Sequence, residues 1–259
     1  MIVNTKRQLT TFSVFMLVYA LLALVTYMFV PLEQLVPPTQ TVPASALSIP
    51  RWQLGLVSAG MILVVYGLLG FAGYWFACKL ELPTIYRERA GWRAWFLWPM
   101  LLGFGLGIIL VIVDHLCAIA SSSKGFPHPA FPLSVISSAT AGIGEEILFR
   151  AFVMGLWAFL VNLLLRRRKC MRAALWIGNI IAALAFSAGH LPGAMILLGV
   201  TSPAEIPVLM LVEGLILNSL VGLVAGERYM RDGLVAAMGV HFWTDIVWHV
   251  VWPLLGLGA

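Results

Sequence analysis

Seven long apolar segments limit the folds open to this chain more than any other feature of its sequence. An α-helix rises about 1.5 Å per residue, so a run of roughly 20 apolar residues crosses the hydrocarbon core of a bilayer. We therefore predict an all-α, polytopic transmembrane helix bundle with about seven spans, folded as a single domain over residues 1–259. The predicted spans are residues 11–30, 54–77, 95–120, 133–165, 173–200, 206–225 and 233–255.

Composition excludes several other classes of protein. Hydrophobic residues make up 61% of the chain and charged residues only 10%, which is too little charge to cover a soluble domain. The net charge is +5, but the basic residues form short clusters without interleaved aromatics, so we predict no nucleic-acid partner. Cys78, Cys117 and Cys170 are far apart in the sequence, which predicts neither a zinc site nor a disulfide framework. We expect no cofactor.

The distribution of basic residues predicts the orientation of the bundle. Lys and Arg are enriched in the cytosolic segments of membrane proteins. Only Arg51 and Lys124 fall on one side of the predicted spans, and Arg150 falls within a span. We therefore predict a cytosolic N-terminus. The basic residues on the N-terminal side are Lys6, Arg7, Lys79, Arg87, Arg89, Arg93, Arg166, Arg167, Arg168, Lys169, Arg172, Arg228 and Arg231.

The first apolar segment has two interpretations. It follows Lys6 and Arg7, and the segment Ala44-Ser45-Ala46 resembles a signal-peptidase site. The apolar run is longer than the usual core of a signal peptide, and proline-rich sequence separates it from that site. We therefore interpret it as a transmembrane helix.

Many ionisable residues lie within the apolar segments. Each is costly in a bilayer unless it is paired or hydrated. Such a set indicates either a functional site or an internal polar network that holds helices together. Glu213 has no assigned role, and pairing with Arg150, lining a cavity and contacting a substrate are all open to it. The residues are Asp114, His115, Glu145, Glu146, Arg150, His190, Glu213, His241, Asp245 and His249.

Glu145 and Glu146 are adjacent within the fourth predicted span. Neighbouring helical residues point about 100° apart, so the two carboxylates face different ways. Glu146 and Arg150 are at positions i and i+4, on one helix face, in the order that favours an ion pair. This spacing predicts a supporting ion pair and leaves Glu145 free to act as a general base. An ion cluster that only packs helices explains the same three residues.

Imidazoles in two other spans are candidate partners of Glu145. His190 lies deep in the fifth span, and His241 and Asp245 share one face of the seventh. A single buried histidine is more often a structural hydrogen-bonding residue, but a free glutamate nearby favours catalysis. His249 continues the stripe of His241, and we leave it out of the predicted site because it could be interfacial and solvated.

These residues form three motifs that resemble the CAAX prenyl protease and bacteriocin-processing family, also called the Abi family. Its hallmarks are EExxxR, FxxxH, and HxxxN or HxxxD, in that order on separate spans. The resemblance covers about residues 133–250, and the first three predicted spans carry no matching motif. The motifs are carried here by Glu145, Glu146, Arg150, Phe186, His190, His241 and Asp245.

The resemblance implies an intramembrane glutamic-type endopeptidase that cleaves a peptide or membrane-associated protein. It implies that Glu145 is the base, that His190 is its partner on the attacking water, and that His241 supports the oxyanion. Glu146 and Arg150 are then the supporting ion pair. We expect a multi-pass protein of the bacterial inner membrane.

Asp245 departs from the Ras-converting members of the family, which resemble this chain but have Asn at that place. An amide can donate a hydrogen bond to an oxyanion, whereas an ionised carboxylate cannot. Asp245 is therefore either protonated or serves to orient His241. This departure weakens the prediction of a prenylated substrate more than it weakens the prediction of the family.

Three other functions use the same residues. Two histidines and a glutamate could hold a catalytic zinc, although the chain has no HExxH motif. A proton-coupled transporter also places charged residues in its spans, but no internal repeat is evident. A non-proteolytic bacteriocin-immunity or membrane scaffold protein is the third alternative.

Overall fold

The computed structural model describes residues 4–36, 40–121, 125–165 and 170–256, and within them it contains no β-strand. Seven of its helices are long and apolar enough to cross a membrane, which confirms the predicted all-α fold with seven spans. Several basic residues of the predicted loops lie outside the described residues. They are Lys124, Arg166, Arg167, Arg168 and Lys169. The seven helices are α1 (Thr5–Phe29), α2 (Arg51–Lys79), α3 (Arg93–Ser121), α4 (Leu133–Leu165), α5 (Met171–Leu198), α6 (Val208–Asp232) and α7 (Leu234–Leu254).

Two helices extend well beyond their predicted ends. α1 begins at Thr5 because the Asn4 side chain caps it, accepting a hydrogen bond from the backbone N–H of Arg7 at 3.2 Å. α6 continues to Asp232, past the end of the apolar run, because Arg228 and Asp232 form a buried ion pair one helical turn apart. Polar residues thus extend both helices at ends where apolar periodicity carries no signal.

Small residues let the helices pack closely around the centre of the bundle. Ala77, Ala158, Ala182 and Ala225 are completely buried, whereas large apolar side chains of α1, α2 and α3 are exposed on the outer surface. Helices in a bilayer associate through close packing rather than through a hydrophobic driving force, so small residues at the contacts are expected. The exposed apolar side chains are those that face lipid.

Small residues in a membrane-spanning helix predict close helix contacts. This prediction is confirmed at four of five glycines of α2 and α3, which are Gly67, Gly70, Gly73, Gly103 and Gly107. A Cβ atom on Gly73 would lie 2.6 Å from the carbonyl carbon of Ala151 on α4, and Gly70 is closed off by the ring of Phe12. Gly103 and Gly107 lie equally close to α7. The prediction is wrong for Gly67, where a Cβ atom would meet no atom within 4 Å. Gly67 is on the part of α2 that no other described element covers.

This difference predicts opposite effects of alanine in the same helix. We expect Gly73→Ala to destabilise the protein by about 1–3 kcal/mol, because the backbones of α2 and α4 must separate. Gly67→Ala should leave stability unchanged or slightly raised. The measurement is the thermal unfolding midpoint of both variants in one detergent. Equal midpoints for the two variants would contradict the packing described above.

One buried side chain joins the start of α1 to the segment that follows α2. Gln8 is completely buried, and its Oε1 accepts hydrogen bonds from the Thr84 hydroxyl at 3.0 Å and the backbone N–H of Tyr86 at 3.1 Å. Its Nε2 donates to the carbonyl of Tyr86 at 3.0 Å. The carbonyl of Thr84 in turn accepts from the N–H of Leu234 at 3.0 Å. Gln8 therefore connects α1 to the beginning of α7. No sequence motif predicted this contact.

Candidate active site

A cavity of about 700 Å³ lies between α4, α5, α6 and α7. Its walls are mostly apolar, and the segment Phe126–Pro129 lines the end opposite the predicted cytosolic loops. Ionisable side chains line one part of this cavity. They come from four helices that are separate in the sequence. They are Glu145, His190, Glu213, His241, Asp245 and His249.

Glu145 and His190 meet at the wall of this cavity. Glu145 Oε2 lies 3.8 Å from His190 Nε2, and the two side chains are 33% and 40% exposed. His190 Nδ1 lies 2.8 Å from the carbonyl oxygen of Phe186, which can only accept, so Nδ1 carries the proton. The Nε2 lone pair therefore faces the cavity beside Glu145. The distance exceeds that of a direct hydrogen bond, and Glu145 Oε2 has no hydrogen-bond partner among the described residues.

Glu146 differs from the neighbouring Glu145 because it is completely buried. Its two oxygens contact the Arg150 guanidinium and the His241 imidazole. Its Oε2 lies 3.4 Å from Arg150 Nε, and its Oε1 lies 2.9 Å from His241 Nδ1. Arg150 also donates to the carbonyl of Gly222 at 2.6 Å. Glu146 is thus a junction between α4, α6 and α7. The i,i+4 spacing indicated the contact with Arg150, but nothing in the sequence indicated the contact with His241.

Phe186 packs among the charged groups of the site. Its ring centroid is 4.7 Å from the ring of His190 and 5.4 Å from the ring of His241. The Arg150 guanidinium lies over the same ring, 5.4 Å from its centroid. The aromatic residue of the FxxxH motif therefore fixes the separation of two imidazoles and contacts a buried cation.

His241 lies between two carboxylates. Its Nδ1 is engaged by Glu146, and its Nε2 lies 3.6 Å from Asp245 Oδ2. The His241 side chain is only 4% exposed, whereas that of Asp245 is 15% exposed. Asp245 is thus the more exposed of these two cavity-lining side chains.

His249 lines the cavity, although sequence reasoning left it out. Its Nδ1 lies 3.0 Å from Nδ1 of His128, so one of these nitrogens donates and the other accepts. Burial lowers the pKa of His128, which favours its neutral form. The stripe of residues 241, 245 and 249 was the available signal for His249.

Glu213 lines the cavity without joining the acid–imidazole group. It is 6% exposed, and its Oε1 has no hydrogen-bond partner among the described residues. Arg150, one of the partners considered for it, is engaged by Glu146 and Gly222 instead. Asp114 is also buried, and it accepts a hydrogen bond from the backbone N–H of Phe126 at 3.2 Å. Asp114 therefore holds the segment that lines the end of the cavity.

Two π-helical stretches begin immediately after site residues. In α4 the stretch Ile147–Met154 follows Glu146, and in α7 the stretch Ile246–Val251 follows Asp245. Such stretches change the helical phase of the residues beyond them and are frequent at functional sites. Hydrophobic periodicity alone did not reveal either stretch, because both are as apolar as the helices around them.

Within the described ranges, no group of three or more His, Cys, Asp and Glu side chains is placed to hold a metal ion. The zinc alternative therefore finds no preformed three-ligand set in this part of the chain.

The fold and the site together define a polytopic helical membrane protein with an acid–imidazole site in its bundle. Residues 127–247 match the family model described as Type II CAAX prenyl endopeptidase Rce1-like. This match confirms the family that the three motifs predicted, and it includes all three of them. Comparison with curated proteins and with solved structures gave no match.

Proposed function

We propose that this protein is an intramembrane endopeptidase of the glutamic type. The matched family is one of proteases, and this match supports peptide-bond hydrolysis as the reaction. The observation that carries the glutamic mechanism is the approach of Glu145 to His190, within 3.8 Å, at the wall of an apolar cavity. The two residues come from different helices, and both side chains remain partly exposed to that cavity.

In the proposed reaction, Glu145 removes a proton from a water molecule. His190 Nε2 accepts a hydrogen bond from the same water, because its Nδ1 proton is committed to the carbonyl of Phe186. The hydroxide attacks the scissile carbonyl carbon, and the protonated Glu145 then supplies the proton to the leaving amine. The different environments of Glu145 and Glu146 support this division of roles, because only Glu145 is free of a cationic partner.

His241 and Asp245 are proposed to stabilise the oxyanion. A doubly protonated His241 has one N–H for Glu146 and a second, on Nε2, for the oxygen of the substrate. The two neighbouring carboxylates are compatible with that positive charge. A protonated Asp245 offers a second, more exposed donor. Arg150 compensates the charge of Glu146, so that this network is held in place without a solvent contact.

The proposed substrate is a peptide or the segment of a membrane-associated protein. The cavity is predominantly apolar, so it suits a chain that carries hydrophobic side chains or a lipid group. The match to this family supports a CAAX-type substrate. We also propose the orientation with a cytosolic N-terminus and a location in the bacterial inner membrane.

The proposal is tested by comparing the membrane and secreted proteomes of two strains. One carries the wild-type protein and the other the Glu145→Gln variant. We expect at least one precursor to accumulate in the variant strain and its shortened product to disappear. A strain with Glu33→Gln is the control, because Glu33 is an exposed carboxylate outside the bundle core. If neither strain accumulates a precursor, the non-proteolytic alternative is favoured.

A further inference from the structure

A second, strongly basic cavity lies at the other end of the bundle from the active-site cavity. It is bounded by the segment 87–94, which leads into α3, and by the last turn of α6. Lys is absent from its lining, which is dominated by guanidinium groups. We call it the arginine pocket, and its basic residues are Arg87, Arg89, Arg93, Arg228 and Arg231.

The carboxylates of the arginine pocket do not neutralise all of its arginines. Asp232 pairs with Arg228 and lies 3.8 Å from Arg87. Glu88 Oε1 instead accepts a hydrogen bond from the backbone N–H of Asn4 at 2.7 Å. Within the described ranges, Arg89, Arg93 and Arg231 have no carboxylate within ion-pair distance. Three exposed guanidinium groups therefore converge without an anion of the protein to balance them.

Arg228 gives the arginine pocket a fixed wall. This residue is only 4% exposed, and its Nε is buried without a hydrogen-bond partner among the described residues. The pocket also contains the first residues of α3, whose backbone N–H groups carry the positive end of a helix dipole. The buried Nε–H of Arg228 and the N-terminus of α3 add positive potential to that of the exposed arginines. An oxyanion is the complementary ligand.

Tryptophans place the arginine pocket at the depth of lipid headgroups. Trp92 and Trp98 line it, and they are 54% and 51% exposed on the lipid-facing surface. Exposed tryptophans concentrate at the boundary between hydrocarbon and water, where the phosphates of the lipids also lie. The ligand of the pocket therefore has an anionic phosphate joined to an apolar part.

We propose that the arginine pocket binds the phosphate of an anionic phospholipid. Basic pockets between transmembrane helices on the cytosolic side are suited to such headgroups. Arg89, Arg93 and Arg231 would contact the phosphate, Arg228 would form the base of the site, and the tryptophans would pack against the glycerol and the first methylenes. This inference does not depend on the proposed protease activity, because none of these residues lines the catalytic cavity.

The test measures lipid binding by native mass spectrometry of the full-length protein in detergent. Phosphatidylglycerol and phosphatidylcholine are titrated separately, and inorganic phosphate is added as a competitor. We expect phosphatidylglycerol to bind at least about tenfold more tightly than phosphatidylcholine. The variant Arg89→Gln/Arg93→Gln should weaken phosphatidylglycerol binding by about 25-fold, and Arg231→Gln by about fivefold. Millimolar phosphate should displace little of the lipid.

A matched control separates the pocket from general surface charge. Lys6→Gln/Arg172→Gln removes two exposed positive charges from the same end of the bundle but outside the pocket. It should change phosphatidylglycerol binding less than about twofold, because charges outside the pocket are screened. Equal losses in the control and pocket variants would overturn the proposal, as would equal affinity for the two lipids. Displacement by free phosphate would show a phosphate site instead of a lipid site. Arg231→Gln decides the question if the double variant fails to fold.

Discussion

Glu145→Gln is expected to lower the rate constant of peptide cleavage by about 10²- to 10⁴-fold, because the amide cannot take a proton from the attacking water. The substitution preserves the size of the side chain, and Glu145 makes no ion pair with Arg150 that would be lost. The change should appear mainly in kcat, since the carboxylate acts on the water rather than on the apolar part of the substrate. The measurement is single-turnover cleavage of the substrate identified by the proteome comparison.

The partner of Glu145 supplies a stricter form of the same experiment. If Glu145 and His190 activate one water together, the double variant Glu145→Gln/His190→Ala should be no slower than the slower single variant. Independent roles would instead multiply the two losses. Glu33→Gln should cleave at the wild-type rate. A Glu145→Gln protein that retained full activity would remove the glutamic mechanism altogether.

Arg150→Met should produce the largest loss of stability of any single substitution discussed, about 3–5 kcal/mol. The reason is the completely buried carboxylate of Glu146, which would lose its ion pair with Arg150 while remaining inside the bundle. The hydrogen bond to the carbonyl of Gly222 would be lost at the same time. The measurement is the unfolding midpoint in detergent, with Arg172→Met as the control because Arg172 is exposed.

A double-mutant cycle distinguishes this effect from the loss of packing. Removing both charges in Glu146→Gln/Arg150→Met should cost clearly less than the sum of the two single substitutions, since no unpaired charge is left inside. Strict additivity would mean that Glu146 and Arg150 stabilise the protein independently, contrary to the contact described here.

Sequence reasoning predicted the fold well because a bilayer leaves few alternatives. A backbone that crosses hydrocarbon must satisfy its own hydrogen bonds, so each apolar run becomes a helix. The ends of α1 and α6 were less predictable, since capping by Asn4 and the ion pair of Arg228 with Asp232 depend on individual polar side chains. The error at Gly67 has a related cause: the sequence shows that a residue is small, but not which side of the helix has a neighbour.

The site was predictable within each helix and unpredictable between helices. The spacing of Glu146 and Arg150 is a property of one helix, and the structure places their side chains 3.4 Å apart. The bond between Glu146 and His241 joins residues 95 positions apart, so it depends on how α4 and α7 cross. The π-helical stretches after Glu146 and Asp245 change the helical phase of the residues beyond them and leave no mark in the apolar pattern. The roles assigned to Glu145, His190, His241 and Asp245 therefore remain predictions for the experiments above.

The contacts of Gln8 have a consequence for how this molecule can be divided. The family match begins at residue 127, yet α1 is joined by Gln8 to the segment that supports the start of α7. The Tyr19 side chain of α1 also packs directly against Gly144, next to Glu145. The matched region and the packed helix bundle therefore have different borders. A fragment cut at residue 127 would lose both of these contacts.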